Sequence, residues 1–296
     1  MKHKVLVLCG GGIYGAISSK FLSYLNYDFI KDIDTIAGTS IGGVQSCCYA
    51  SGASGEEVLE AFVSNGKEIF KKRTASKLNP ISIPTYSNDN LKLMLDKFTK
   101  NKKVKDIREN YPNLNFIVPT INLTQDKPKV FDNICGKDDG VSLTKIGLMT
   151  SSAPTYFPGI EFENNCMIDG GLYDVTGLIS SVTCLKGKKD IDFKDMDVLM
   201  IGTGSNYNRK PISFDDYNNY NIIQMLLNVI VPYVTLASER AAEYWGNNMG
   251  FNSFKYYNPI QNTGKLDNVD EMKILFEDCD MFEKDFIKTW SDFIDN

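Results

Sequence analysis

Two short strand-like segments near the start of the chain, the first of them apolar at every position, each open straight into a glycine-rich turn and then into helical sequence, and this doubled unit limits the available folds more than any other feature. Val5-Leu6-Val7-Leu8 leads into Gly10-Gly11-Gly12-Ile13-Tyr14-Gly15, after which Ile17, Phe21, Leu22 and Leu25 recur at helical spacing. Residues 33–37 lead into Gly38-Thr39-Ser40-Ile41-Gly42, followed by small residues as far as Ser51. A short run that is apolar at every position marks a strand buried on both faces, as in a parallel sheet, and successive strand–turn–helix units wind such a sheet. Further strands are expected at 115–122, 197–201 and 253–257. Helices are expected at 56–70, 90–98, 143–150, 217–248 (one helix, or two broken at Pro232) and 269–294 (one helix or two). No repeat or linker composition interrupts this order, so residues 1–296 are read as a single α/β domain with a mostly parallel central sheet. With 43% hydrophobic residues over 296 positions, the chain can bury a substantial core.

The second turn is a G-x-S-x-G sequence between a strand and a helix, the setting in which a serine hydroxyl is held exposed on a sharp turn as a nucleophile. A serine hydrolase ordinarily uses histidine to take the hydroxyl proton. The only histidine here is His3, beside the first strand and poorly placed for that task. A carboxylate can substitute if it reaches the hydroxyl and is partly desolvated, because desolvation raises its proton affinity. Asp169, in Met167-Ile168-Asp169-Gly170-Gly171, is the candidate. An Asp-Gly-Gly triplet alone is an ordinary turn; the need of Ser40 for a base singles this one out.

The first turn has two readings. As an oxyanion hole, its glycines allow backbone N–H groups to converge without Cβ obstruction; Gly10, Gly11 and Gly12 are the candidates, Gly11 and Gly12 foremost, together with the N–H of Ile41 after the nucleophile. As G-x-G-x-x-G between strand and helix, it also fits a dinucleotide-binding turn. That reading requires an acidic residue at the end of the second strand. Asp32 and Asp34 have about the right separation but lie before that strand or at its start, and its end carries Gly38-Thr39-Ser40.

A formal charge of −5 argues against nucleic acid as a main partner. Seven scattered cysteines without C-x-x-C spacing indicate neither a disulfide framework nor a zinc site. The initial apolar run is too short for a secretory signal, and the apolar stretch 222–237 is interrupted by Gln224, Asn228 and Pro232 and is too short to span a membrane. A cytoplasmic protein, with any membrane contact peripheral, is the expectation.

The three glycine turns in this order, with Ser152-Ala153-Pro154-Thr155-Tyr156-Phe157-Pro158 before the aspartate and Leu199-Met200-Ile201-Gly202-Thr203-Gly204 after it, resemble the patatin-like phospholipase family over nearly the whole chain. Residues 254–259 and Leu266-Asp267 are similar to that family's C-terminal part. The resemblance implies a three-layer α/β/α fold distinct from the α/β-hydrolases, with neither metal nor organic cofactor. It implies a lipid acyl hydrolase of phospholipase A or lysophospholipase type, with Ser40 as nucleophile, Asp169 as base and a phospholipid or other acyl lipid at a membrane surface as substrate. Tyr14, Gly15 and Pro154 then become candidate substrate contacts. Two departures from the family pattern are expected to reduce or alter activity: Tyr14 stands where an arginine is usual, and Val175-Thr176-Gly177 stands where Asn-Asn-Pro is usual. They also leave open a catalytically weak relative that binds lipid or a protein partner. The apolar segment 222–231 is either an ordinary core helix or a wall or lid of the acyl channel.

Overall fold

The computed structural model describes residues 2–73, 84–204, 213–220, 225, 231–262 and 266–296. Eight strands form one sheet: β1 (His3–Leu8), β2 (Thr35–Gly38), β3 (Asn115–Asn122), β4 (Lys127–Asp132), β5 (Ile160–Phe162), β6 (Asn165–Asp169), β7 (Met196–Ile201) and β8 (Ser253–Tyr257). Their order is β5-β6-β3-β2-β1-β7-β8, with β4 also on β3. The core β3-β2-β1-β7-β8 is parallel throughout, while β4 and β6 run antiparallel to β3 and β5 antiparallel to β6. The longer helices are α1 (Gly15–Ser23), α2 (Ile41–Ala50), α3 (Gly55–Ile69), α4 (Asp89–Thr99), α5 (Leu143–Thr150), α6 (Leu178–Lys189), α7 (Val231–Asn248), α8 (Met272–Met281) and α9 (Glu283–Asp295).

The period-2 alternation of β1 explains the layering. Leu6 and Leu8 face a core built with α1 to α5, α8 and α9, while Val5 and Val7 face a second core closed by Leu178, Val182 and Leu185 of α6 and Ala242 of α7. Both faces of the sheet are therefore covered by helices, as a strand apolar at every position requires. The fold is the three-layer α/β/α arrangement with a mostly parallel central sheet.

The register of β3 decides where two strands end. Thr120, Ile121 and Asn122 pair with both β4 and β6, so those two strands occupy opposite edges of β3. Ile117 pairs with both β4 and β2, so β2 likewise lies opposite β4. β2 and β6 therefore share one edge of β3, end to end and pointing at each other. β2 reaches rung 117 and β6 stops at rung 120, which is paired with Asp169. The chain leaving β2 and the chain leaving β6 meet across that gap.

Several expected elements differ from those observed. α7 begins at Val231, so Pro232 sits in a first turn, where its missing N–H loses no helical acceptor, rather than breaking a helix interior. The segment 222–231 considered as a lid lies outside the described residues, apart from Met225 and the backbone of Val231. Strands β4, β5 and β6 and helix α6 were not expected from the sequence.

Candidate active site

Ser40 lies between β2 and α2 with φ 54° and ψ −123°, a left-handed backbone that a non-glycine residue adopts only when its surroundings enforce it. The enforcement comes from packing at Gly42, where a Cβ would collide with the Leu8 carbonyl. The turn is thus pressed against the end of β1, and the Ser40 side chain projects from the N-terminus of α2.

Asp169 is the last residue of β6. Its Oδ2 accepts the Ser40 hydroxyl at 2.7 Å and its Oδ1 accepts the Gly171 N–H at 2.7 Å. Asp169 is 4% exposed. Burial pushes its pKa up to about 7, against the lowering effect of the Ser40 and Gly171 hydrogen bonds. It is therefore a carboxylate whose proton affinity suits exchange near neutral pH. His3 is at the far end of β1 from this turn, with its Nε2 2.8 Å from Thr35 Oγ1.

Among the described residues, the N–H groups of Gly11, Gly12 and Ile41 have no hydrogen-bond acceptor. Gly10 must be removed from the donors expected from the sequence, because its N–H donates to the Val175 carbonyl at 2.8 Å. That long-range bond joins the glycine loop to the segment following Asp169. The next donor along, Ile13 N–H, bonds the Leu266 carbonyl at 2.8 Å, so the loop is held on both sides of Gly11 and Gly12. Gly12 has φ +60°, and a Cβ there would run into Leu266.

These groups line a cavity of about 240 Å³ whose walls are apolar: Phe62 and Ile69 of α3, Leu91 of α4, and Tyr156 and Phe157 after α5. Pro154 lines it, whereas Tyr14 and Gly15 do not. Tyr14 is buried and its hydroxyl donates to Glu271 at 2.7 Å, because entry into α1 turns the side chain into the core. Gly15 is a packing glycine, with the Ile41 side chain where a Cβ would stand. Leu172 and Val234, 59% and 51% exposed, line the same cavity where it meets the surface. The wall residues on α3 and α4 recur at ordinary helical spacing, and nothing in that spacing separates a cavity wall from a core contact. The dinucleotide alternative loses its acidic partner: Asp34 Oδ2 accepts the Lys4 N–H at 2.8 Å at the start of β2, the end of the strand away from the glycine loop.

This chain belongs to the patatin-like phospholipase family, whose family model matches residues 6–180. It is 28% identical over 232 residues to the cGAMP-activated phospholipase of Escherichia coli (strain TW11681), covering 70% of this chain and 64% of that protein. It is 25% identical over 255 residues to patatin-like protein 2 of Oryza sativa subsp. indica, covering 70% and 62%. The chain thus spans just under two thirds of the length of these relatives. Among solved structures, VipD from Legionella pneumophila aligns with a TM-score of 0.46 at 12% identity, over 94% of this chain and 67% of its own.

Proposed function

We propose that the chain acts as a single patatin-like domain that hydrolyses acyl esters of phospholipids, of phospholipase A or lysophospholipase type, through a Ser40–Asp169 dyad. The observation that carries this reading is the 2.7 Å hydrogen bond from the Ser40 hydroxyl to a buried carboxylate at the side of an apolar cavity. Asp169 takes the Ser40 proton as the hydroxyl oxygen attacks the ester carbonyl carbon, and the negative charge that develops on the carbonyl oxygen is met by the N–H groups of Gly11, Gly12 and Ile41. Collapse of this tetrahedral intermediate breaks the ester C–O bond, and the lysolipid alkoxide leaves with the proton held on Asp169. Water then attacks the Ser40 acyl ester, gives its proton to Asp169 and releases the fatty acid; the proton returns to Ser40. The acyl chain lies along Phe62, Ile69 and Leu91.

The exposed Leu172 and Val234 at the cavity mouth, with Tyr244 and Trp245 exposed further along α7, favour work at a lipid surface, where such amphipathic rings are stable. Among the described residues, no helix is long and apolar enough to cross a membrane, which accords with peripheral contact. Seven free thiols favour a reducing compartment such as the cytoplasm. The departure at Tyr14 bears little on this chemistry, since that side chain faces Glu271 rather than the cavity.

Fatty-acid release from phosphatidylcholine vesicles tests the proposal. Ser40→Ala abolishes release and labelling by a fluorophosphonate probe while the circular dichroism spectrum is retained. Wild-type protein that neither labels nor releases fatty acid is instead a lipid- or partner-binding relative.

A further inference from the structure

The gap between the facing ends of β2 and β6 has a consequence for backbone hydrogen bonding. Pro119, on the β3 edge that the two strands share, lies between the rungs that they reach, and its carbonyl accepts a side-chain hydroxyl instead of a ladder amide. That donor is Thr150 Oγ1, 2.8 Å away, and the same oxygen accepts the N–H of Ser40 at 3.1 Å. Thr150 is the last residue of α5 and is fully buried. Two residues on, the Ser152 carbonyl accepts the N–H of Asp169 at 3.1 Å. One helix end therefore holds the backbone of both residues that face each other across the gap.

We infer that Thr150 is a positioning residue, whose hydroxyl bridges Ser40 to β3 and so fixes the approach of the Ser40 hydroxyl to Asp169. This role rests on the dyad proposed above. One hydroxyl can serve both partners because it donates once and accepts at the same time. Valine in its place has nearly the same shape but leaves a partly buried N–H and a buried carbonyl without this partner. Ser40, already in a left-handed conformation, then loses the contact that fixes its amide. The hydroxyl draws away from Asp169, and the carboxyl loses a hydrogen bond that stabilises its charged form.

Three variants test this. In Thr150→Val, carbon-13 NMR titration of the Asp169 carboxyl in the resting protein, assigned by its absence in Asp169→Asn, shows a midpoint above that of wild type. Hydrolysis shows kcat reduced at least tenfold with KM changed less than twofold. Thr150→Ser, which keeps the bridging oxygen, restores both. Should Thr150→Val fail to fold, Thr150→Ala is compared with Thr150→Ser by the same two readouts. An unchanged Asp169 titration in the hydroxyl-free variant, or a loss of kcat that serine does not rescue, overturns the inference. If Ser40→Ala retains wild-type hydrolysis, the dyad is wrong, and the NMR titration still decides whether Thr150 controls the Ser40–Asp169 contact.

Discussion

Replacing Asp169 by asparagine removes a charge from a place that solvates it poorly. The carboxyl pKa rises from 3.8 to about 7 on folding, with burial as the largest cause. The folded protein holds this proton up to about pH 7, whereas the unfolded chain releases it near pH 4. Over that window the unfolded state binds fewer protons, so stability falls as pH rises, and the loss is complete above the folded pKa. About three units at 1.36 kcal/mol each amount to about 4 kcal/mol, of which about 3 falls above pH 5. Asparagine carries no such penalty and keeps the geometry: its oxygen can accept from Gly171 and its amide can donate to Ser40. The stability advantage of Asp169→Asn over wild type should therefore grow by about 4 kcal/mol between pH 4 and pH 8. With an unfolding entropy near 2.1 cal/mol/K per residue, that is an increase of about 6 °C in the difference between melting temperatures. Activity moves the other way: without a base, hydrolysis falls by about 10²–10⁴-fold, and the wild-type rate itself climbs with pH through about 7. Paired thermal melts of wild type and Asp169→Asn from pH 4 to pH 8, with fatty-acid release on the same samples, read both effects. Melting temperatures that shift in parallel with pH would refute the reasoning, because other titrating groups are common to both proteins and cancel in the difference.

Two further substitutions probe the glycine loop and the cavity mouth. Gly12→Ala places a methyl against the Leu266 carbonyl at a backbone with φ +60°; displacement of this N–H should cost about 3 kcal/mol of transition-state stabilisation, read as a fall in kcat of at least a hundredfold. A variant with wild-type kcat would remove Gly12 from the oxyanion site. Leu172→Asp puts a charge on the exposed rim of the cavity, and should reduce hydrolysis of vesicles at least fivefold while leaving a soluble short-chain nitrophenyl ester within twofold. An equal loss on both substrates would place Leu172 in the reaction rather than at the lipid surface.

The parallel half of the sheet and Ser40 are legible in the sequence for a shared physical reason. β1 and β7 are covered on both faces, so their runs Val5–Leu8 and Val198–Ile201 are apolar at every position, and a serine on a strand-to-helix turn needs small neighbours within two residues. Asp169 is legible only indirectly, through the absence of a usable histidine, because β6 itself is Asn165-Cys166-Met167-Ile168-Asp169, a short segment in which only the last three residues are buried. β4 and β5 are hidden in the same way: Lys127–Asp132 is exposed at its start, and Ile160–Phe162 is three residues long. β6 becomes a strand because β3 extends beyond β2 and offers an unpaired edge, β5 then adds to β6, and β4 pairs along the opposite edge of β3; these are properties of register that local propensity does not encode. Long-range contacts of this kind also decide what the glycine turn can offer: Gly10 N–H is taken by Val175, the Tyr14 hydroxyl by Glu271 and the space beside Gly15 by the packing of Ile41. A motif states which backbone turns are possible; which amides in them remain free is decided by residues more than a hundred positions away. The Ser40–Asp169 bond belongs to this second kind of fact. It joins residues 129 apart, and it exists because two strands advancing along one edge of β3 stop three rungs short of each other.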